Sequence, residues 1–116
     1  IHEIAPPGVR VEIVPMHGGK PAIVPLDHPA MSAASRAMER GFGKRPVFIR
    51  EGGSIPVVAT FAKALGAPTI LMGVGLPGEN AHAPNEWLLL DNFHNGIRSA
   101  AALLDELAAL APAAVG

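Results

Sequence analysis

The sequence predicts an α/β fold, and three observations carry that prediction. Residues 9–14, Val-Arg-Val-Glu-Ile-Val, alternate apolar and charged side chains with the period-two pattern of a half-buried strand. Residues 46–49 and 69–74 are short apolar runs of strand-forming residues, and the second is continuous enough to be buried on both faces. Between them Ile55 to Leu65 has helical spacing, so strand, helix and strand follow one another as in a crossover unit with a parallel pair.

Taken in order, the opening His2-Glu3-Ile4-Ala5-Pro6-Pro7-Gly8 reads as a helix end followed by a breaker, as expected of a fragment rather than of a domain start. An outer strand is expected at 9–14, with Val9, Val11 and Ile13 on one face and Arg10 and Glu12 on the other. His17-Gly18-Gly19-Lys20 makes a turn, and the prolines of the extended piece 21–25 keep it off the middle of a sheet. A helix is expected from Pro29 to Phe42: Asp27 or His28 caps it, Pro29 suits its first position, and Met31, Ala34, Met38 and Phe42 form one stripe. Gly41 and Gly43 stop it. The helix to Leu65 ends at Gly66-Ala67-Pro68, and Gly75 to Glu86 is loop by composition. Asp91 caps a last helix with Phe93, Ile97, Ala100, Ala101, Leu104 and Leu107 on its apolar face, running to about Leu110 before a frayed tail.

With 116 residues, 49% of them hydrophobic, one domain with a modest core is expected. Nine basic against ten acidic residues give no charge imbalance of the kind that nucleic acid or an anionic membrane would select. A small molecule or a second copy is the expected partner. Without cysteine there is no disulfide framework and no thiolate site, so any metal falls to His and carboxylates. No apolar run is long enough to span a bilayer, and a soluble, cytoplasmic protein is the expectation.

Two polar clusters interrupt the apolar elements, Arg50-Glu51-Gly52-Gly53-Ser54-Ile55-Pro56 at a strand-to-helix turn and Gly78 to Glu86 after the buried strand. The paired glycines of the first let a ligand approach the main chain, and Ser54 can cap the helix with Pro56 in its first turn. Free amides and a positive dipole end there make a seat for a carboxylate or oxyanion. His82 lies where open α/β sheets place their ligand sites, and a neutral imidazole suits zinc or manganese. A loop histidine, an exposed strand-end glutamate and a helix-capping serine have ordinary structural roles too. Those readings stay open on the residues alone.

Glu51-Gly-Gly-Ser54-Ile-Pro, Asn80-Ala-His82-Ala-Pro-Asn-Glu86 and His17-Gly-Gly-Lys-Pro21 together resemble the closing part of the di-metal exopeptidase and deacylase family. That family includes carnosinase-type dipeptidases, acetylornithine deacetylase and succinyl-diaminopimelate desuccinylase. The resemblance implies a partial three-layer catalytic domain at 27–116, preceded at 1–26 by the last strands of an inserted ferredoxin-like lid through which such enzymes dimerise. It further implies hydrolysis of the amide bond of a dipeptide or N-acyl amino acid by metal-activated water, with two divalent ions, Zn or Mn. By the same resemblance His82 ligates one metal and touches substrate, Glu51 contacts the substrate's amine or lines the site, and Gly53 and Ser54 donate from the helix start to its carboxylate or developing oxyanion. His17 contributes to the pocket or a hinge, while Asn85 and Glu86 brace the His82 loop.

The chain departs from the family in having no His-x-Asp and no Glu-Glu pair, so the bridging carboxylate, the general base and most metal ligands are missing. The fragment alone is expected to be inactive. The rival expectation, from another functional class, is a non-catalytic anion-binding or dimerisation domain of the same fold.

Overall fold

The structure is a computed structural model that describes residues 2–16, 18–51 and 55–110. A short 3-10 helix, His2–Ile4, precedes three α-helices: α1 (Pro29–Phe42), α2 (Val57–Leu65) and α3 (Leu90–Ala108). Local chemistry sets their ends. The His28 imidazole accepts from the Ala30 amide at 3.1 Å at the start of α1, and Pro29 takes a position whose N–H has no helical partner. At its end Gly43 adopts φ 67°, a left-handed conformation cheap for glycine, and its N–H returns to the Glu39 carbonyl at 2.8 Å. Gly66 closes α2 in the same way.

Two capping expectations are corrected. The N-cap of α2 is Pro56, and Ser54 lies outside the described residues. The N-cap of α3 is Leu89, which has no capping side chain, and Asp91 sits in the first turn.

The core is the joint between α1 and α3. Ala33 and Ala37 are fully buried with Ala30, Met31 and Ala34 beside them, and Ser99 and Ala102 are the buried residues of α3. Gly41 is required at the crossing, since a Cβ there would collide with Ser99 Oγ and stand 2.7 Å from the Asn95 carbonyl. Gly41 beside Asn95 and Ser99, with Arg36 beside Glu106, makes the pair antiparallel. The Ser99 hydroxyl donates to the Asn95 carbonyl at 2.9 Å, which satisfies a polar group that packing has shut off from water. The expected stripe of α1 turns inward only in part: Met31 and Ala34 are buried, Met38 and Phe42 are half-buried, and the fully buried Ala33 and Ala37 lie outside it. The stripe of α3 does not turn inward: Phe93, Ile97 and Leu104 are exposed, because the close approach selects the small residues on another side of the helix.

The α/β expectation is overturned. Among the described residues there is no strand and no sheet. Segments 9–14, 21–25, 46–50 and 69–74 are non-helical, yet no backbone hydrogen bond joins any of them to another. Segments 46–48 and 70–73 line one groove with Met31, Ala34, Ser35 and Met38 of α1, and residues 22–25 run along Val58 and Ala62 of α2. Strand-like composition describes a side chain suited to a half-buried pleated surface, whereas a ladder needs a neighbour in register about 4.8 Å away. These segments pack against helices without that neighbour, and Val47, Phe48 and Ile49 stay open to solvent. The radius of gyration, 18.9 Å, accordingly exceeds the value of about 13 Å for a compact domain of ~100 residues.

Candidate functional site

His82 lies in a loop whose conformation is set at its neck. Leu76-Pro77-Gly78-Glu79 turns with the Glu79 amide donating to the Leu76 carbonyl at 3.1 Å, and Pro77 pre-sets the second position of that turn. The chain then passes through three non-glycine residues at positive φ: Asn80 at 55°, His82 at 64° and Asn85 at 59°. Asn and His tolerate this region better than most residues, and conformations of this kind cost on the order of 1 kcal/mol or more each. A local bond from the Ala83 amide to the Asn80 carbonyl, 2.9 Å, tightens the turn. The loop is therefore held in shape, with an exposed His82 near its tip.

What holds it is Glu79. This residue is 6% exposed, deeply buried for a carboxylate, and its Oε1 accepts from the Leu89 amide at 3.2 Å. Its carbonyl accepts from the Trp87 amide at 3.1 Å, while the Trp87 indole N–H donates to the Gly78 carbonyl at 3.1 Å. Three bonds thus cross the neck. Because Leu89 is the N-cap of α3, the carboxylate also lies at the positive end of a helix of 19 residues, where negative charge is stabilised. Asn92 extends the anchorage by donating to the Val74 carbonyl at 3.0 Å. The residues expected to brace the loop do not: Asn85 and Glu86 are exposed and make no hydrogen bond among the described residues.

The other motif residues lie elsewhere along the chain. Glu51 is exposed at the end of segment 46–51 and forms no ion pair among the described residues. His17, Gly53 and Ser54 lie outside the described residues. Nearby described residues nonetheless meet, because a Cβ at Gly19 would stand 2.8 Å from Pro56 Cα, which places Gly19 against the N-cap of α2. Neither apolar groove is lined by Glu51 or His82. Of the remaining histidines, His28 caps α1 and His94 stacks edge-on to Phe93 with ring centroids 5.7 Å apart.

The donor set does not by itself fit a divalent ion. No three His, Cys, Asp or Glu side chains come together among the described residues, so His82 stands as a single donor. Far from this loop, Glu106 is held below the ordinary carboxylate range, first by the hydrogen bond from Arg36, with burial pushing the other way.

The profile of peptidase family M20/M25/M40 matches residues 3–106. The chain belongs to this family. Within the match fall His17, Glu51, Gly53, Ser54 and His82. The Cys-Gly metallodipeptidase dug1 of Schizosaccharomyces pombe is 41% identical over 97 residues, 84% of this chain and 20% of that protein. The Beta-Ala-His dipeptidase of Homo sapiens is 31% identical over 93 residues, 80% of this chain and 18% of that protein. A solved structure of the dipeptidase Dug1p from Saccharomyces cerevisiae superposes with a TM-score of 0.69 at 36% identity, covering 72% of this chain and 18% of that one. The chain therefore spans about a fifth of the length of the family members it matches.

Sequence reasoning missed Glu79. A carboxylate in a polar loop looks solvent-facing, but a long helix that starts at an apolar N-cap needs an acceptor from outside, and that was the available signal.

Proposed function

We propose that the chain is the C-terminal part of a dipeptidase of family M20/M25/M40, cleaving the amide bond of a dipeptide or N-acyl amino acid beside a free carboxylate. The match of residues 3–106, which takes in all three motifs, carries this proposal. Relatives named as dipeptidases at 31–41% identity support it.

In the proposed enzyme Glu51 contacts the substrate's amine or lines the site, Gly53 and Ser54 donate to its carboxylate or developing oxyanion, and His82 reaches the scissile end from its fixed loop. The approach of Gly19 to Pro56 favours grouping the motifs at 17–21 and 51–56 at one place. Divalent ions, two in number and zinc or manganese in kind, belong to the proposal. The single donor His82 does not hold them, so their other ligands would come from the further four-fifths of a family member's length. Residues 1–26 are assigned to the end of the lid and 27–116 to the catalytic domain of a cytoplasmic homodimer.

The test is hydrolysis of Cys-Gly, β-Ala-His and other dipeptides by the parent-length protein with zinc or manganese and after chelation. Metal-dependent release of free amino acids is expected. Failure to cleave any dipeptide under metal-loaded conditions would refute the assignment.

A further inference from the structure

We propose that Glu79 is a positioning residue for catalysis: through its bond to the Leu89 amide it sets where the His82 loop stands relative to α3. This role rests on the dipeptidase reading and on the geometry of the neck. Two of the three bonds across the neck fall on one residue, whose carbonyl receives the Trp87 amide at 3.1 Å and whose carboxylate receives the Leu89 amide at 3.2 Å. The space is built around that side chain, since a Cβ on Gly75 would stand 2.8 Å from Glu79 Oε2. A carboxylate 6% exposed is costly unless something needs it there, and no basic side chain pairs with it among the described residues. Its partners are the helix start and the two ends of the loop.

Between those ends stand the three left-handed residues Asn80, His82 and Asn85. Such conformations persist only where the surroundings over-determine them. With the Leu89 bond removed, the Trp87 bonds remain and Asn92 still holds Val74 ahead of the loop, yet the neck itself loses its bond to the start of α3, so His82 stays close to the protein but no longer at one fixed place.

The geometry also supplies a second way to cut the same bond. Leu89 has φ −67°, a value that proline adopts without strain, so Leu89→Pro deletes the donor while leaving the helix start in place. In the parent-length enzyme Glu79→Ala and Leu89→Pro are each expected to lower kcat about 10- to 100-fold, the range for partners that orient a ligating or catalytic group, with KM moving far less. The double variant is expected to be no slower than the slower single, because both cut one interaction. Amide exchange should accelerate at Leu89 in Glu79→Ala and across residues 80–87 in both variants, with α1 unchanged.

Wild-type kcat in Glu79→Ala, losses that simply multiply in the double variant, or exchange that rises equally in α1 would each overturn the proposal. Should Glu79→Ala fail to fold, Leu89→Pro alone decides it through kcat and exchange over 80–87. If the unmutated enzyme cleaves no dipeptide, the functional assignment falls, and exchange over 80–87 still shows whether Glu79 fixes the loop.

Discussion

The joint between α1 and α3 and the neck of the His82 loop hold their parts together in opposite ways. The joint is shape: Ala33, Ala37, Ser99 and Ala102 are buried, Gly41 lets the backbones approach, and ion pairs from Arg36 and Arg40 to Asp105 and Glu106 lie at its edge. The neck is polar and rests largely on Glu79, with Trp87 as its partner. Small losses at the joint are shared among many contacts, while one lost acceptor at the neck frees a particular loop. Global stability and the placement of His82 are thus separable, and substitutions in the two regions should report on different measurements.

The largest effect on stability is expected from Gly41→Val. The added side chain meets the backbone carbonyl of Asn95, which cannot turn aside as a flexible side chain would. Overpacking of this kind costs about 1–3 kcal/mol, read as a lower urea midpoint of the parent-length protein. Glu79→Ala should cost a comparable or smaller amount, about 1–3 kcal/mol for a buried donor left without its acceptor, with the increase in amide exchange confined to the loop and the start of α3. Trp87→Phe removes only the indole bond to the Gly78 carbonyl. At this half-exposed site about 0.5–1 kcal/mol is expected, with exchange over 80–87 rising less than in Glu79→Ala.

The smallest effect concerns acid. Because Arg36 holds the Glu106 carboxyl below its ordinary value, that pair stabilises the fold above the unfolded pKa of about 4.3, and the contribution disappears as pH falls through the lower folded value. Glu106→Gln should therefore flatten the loss of urea stability between about pH 7 and about pH 3, and leave the His82 loop untouched. A slope identical to that of the unmutated protein would show that the pair contributes nothing.

Features set by near neighbours were legible in the sequence, and those set by distant ones were not. The bounds of α1 follow from His28, Pro29 and Gly43, all within a turn of the ends they define. The strand expectations for 46–50 and 69–74 failed because alternation and apolarity describe one segment, whereas a ladder is a relation between two. The buried side of α3 was misjudged for a related reason: the largest apolar residues, Phe93, Ile97 and Leu104, mark the greasiest stripe, but closeness to Gly41 is decided by the smallest. At the site, the motif residues stood out by type and spacing. Glu79 did not, since its role depends on Leu89, ten positions away, lacking a capping side chain.

The most direct test compares two histidines of the parent-length enzyme under identical metal loading. His82→Ala removes the imidazole presented by the fixed loop, and His94→Ala removes an exposed one from α3. Dipeptide turnover is predicted to fall on the order of 100-fold or more in His82→Ala, and to stay at the wild-type level in His94→Ala. Equal turnover in the two variants would contradict a role for His82 in the reaction.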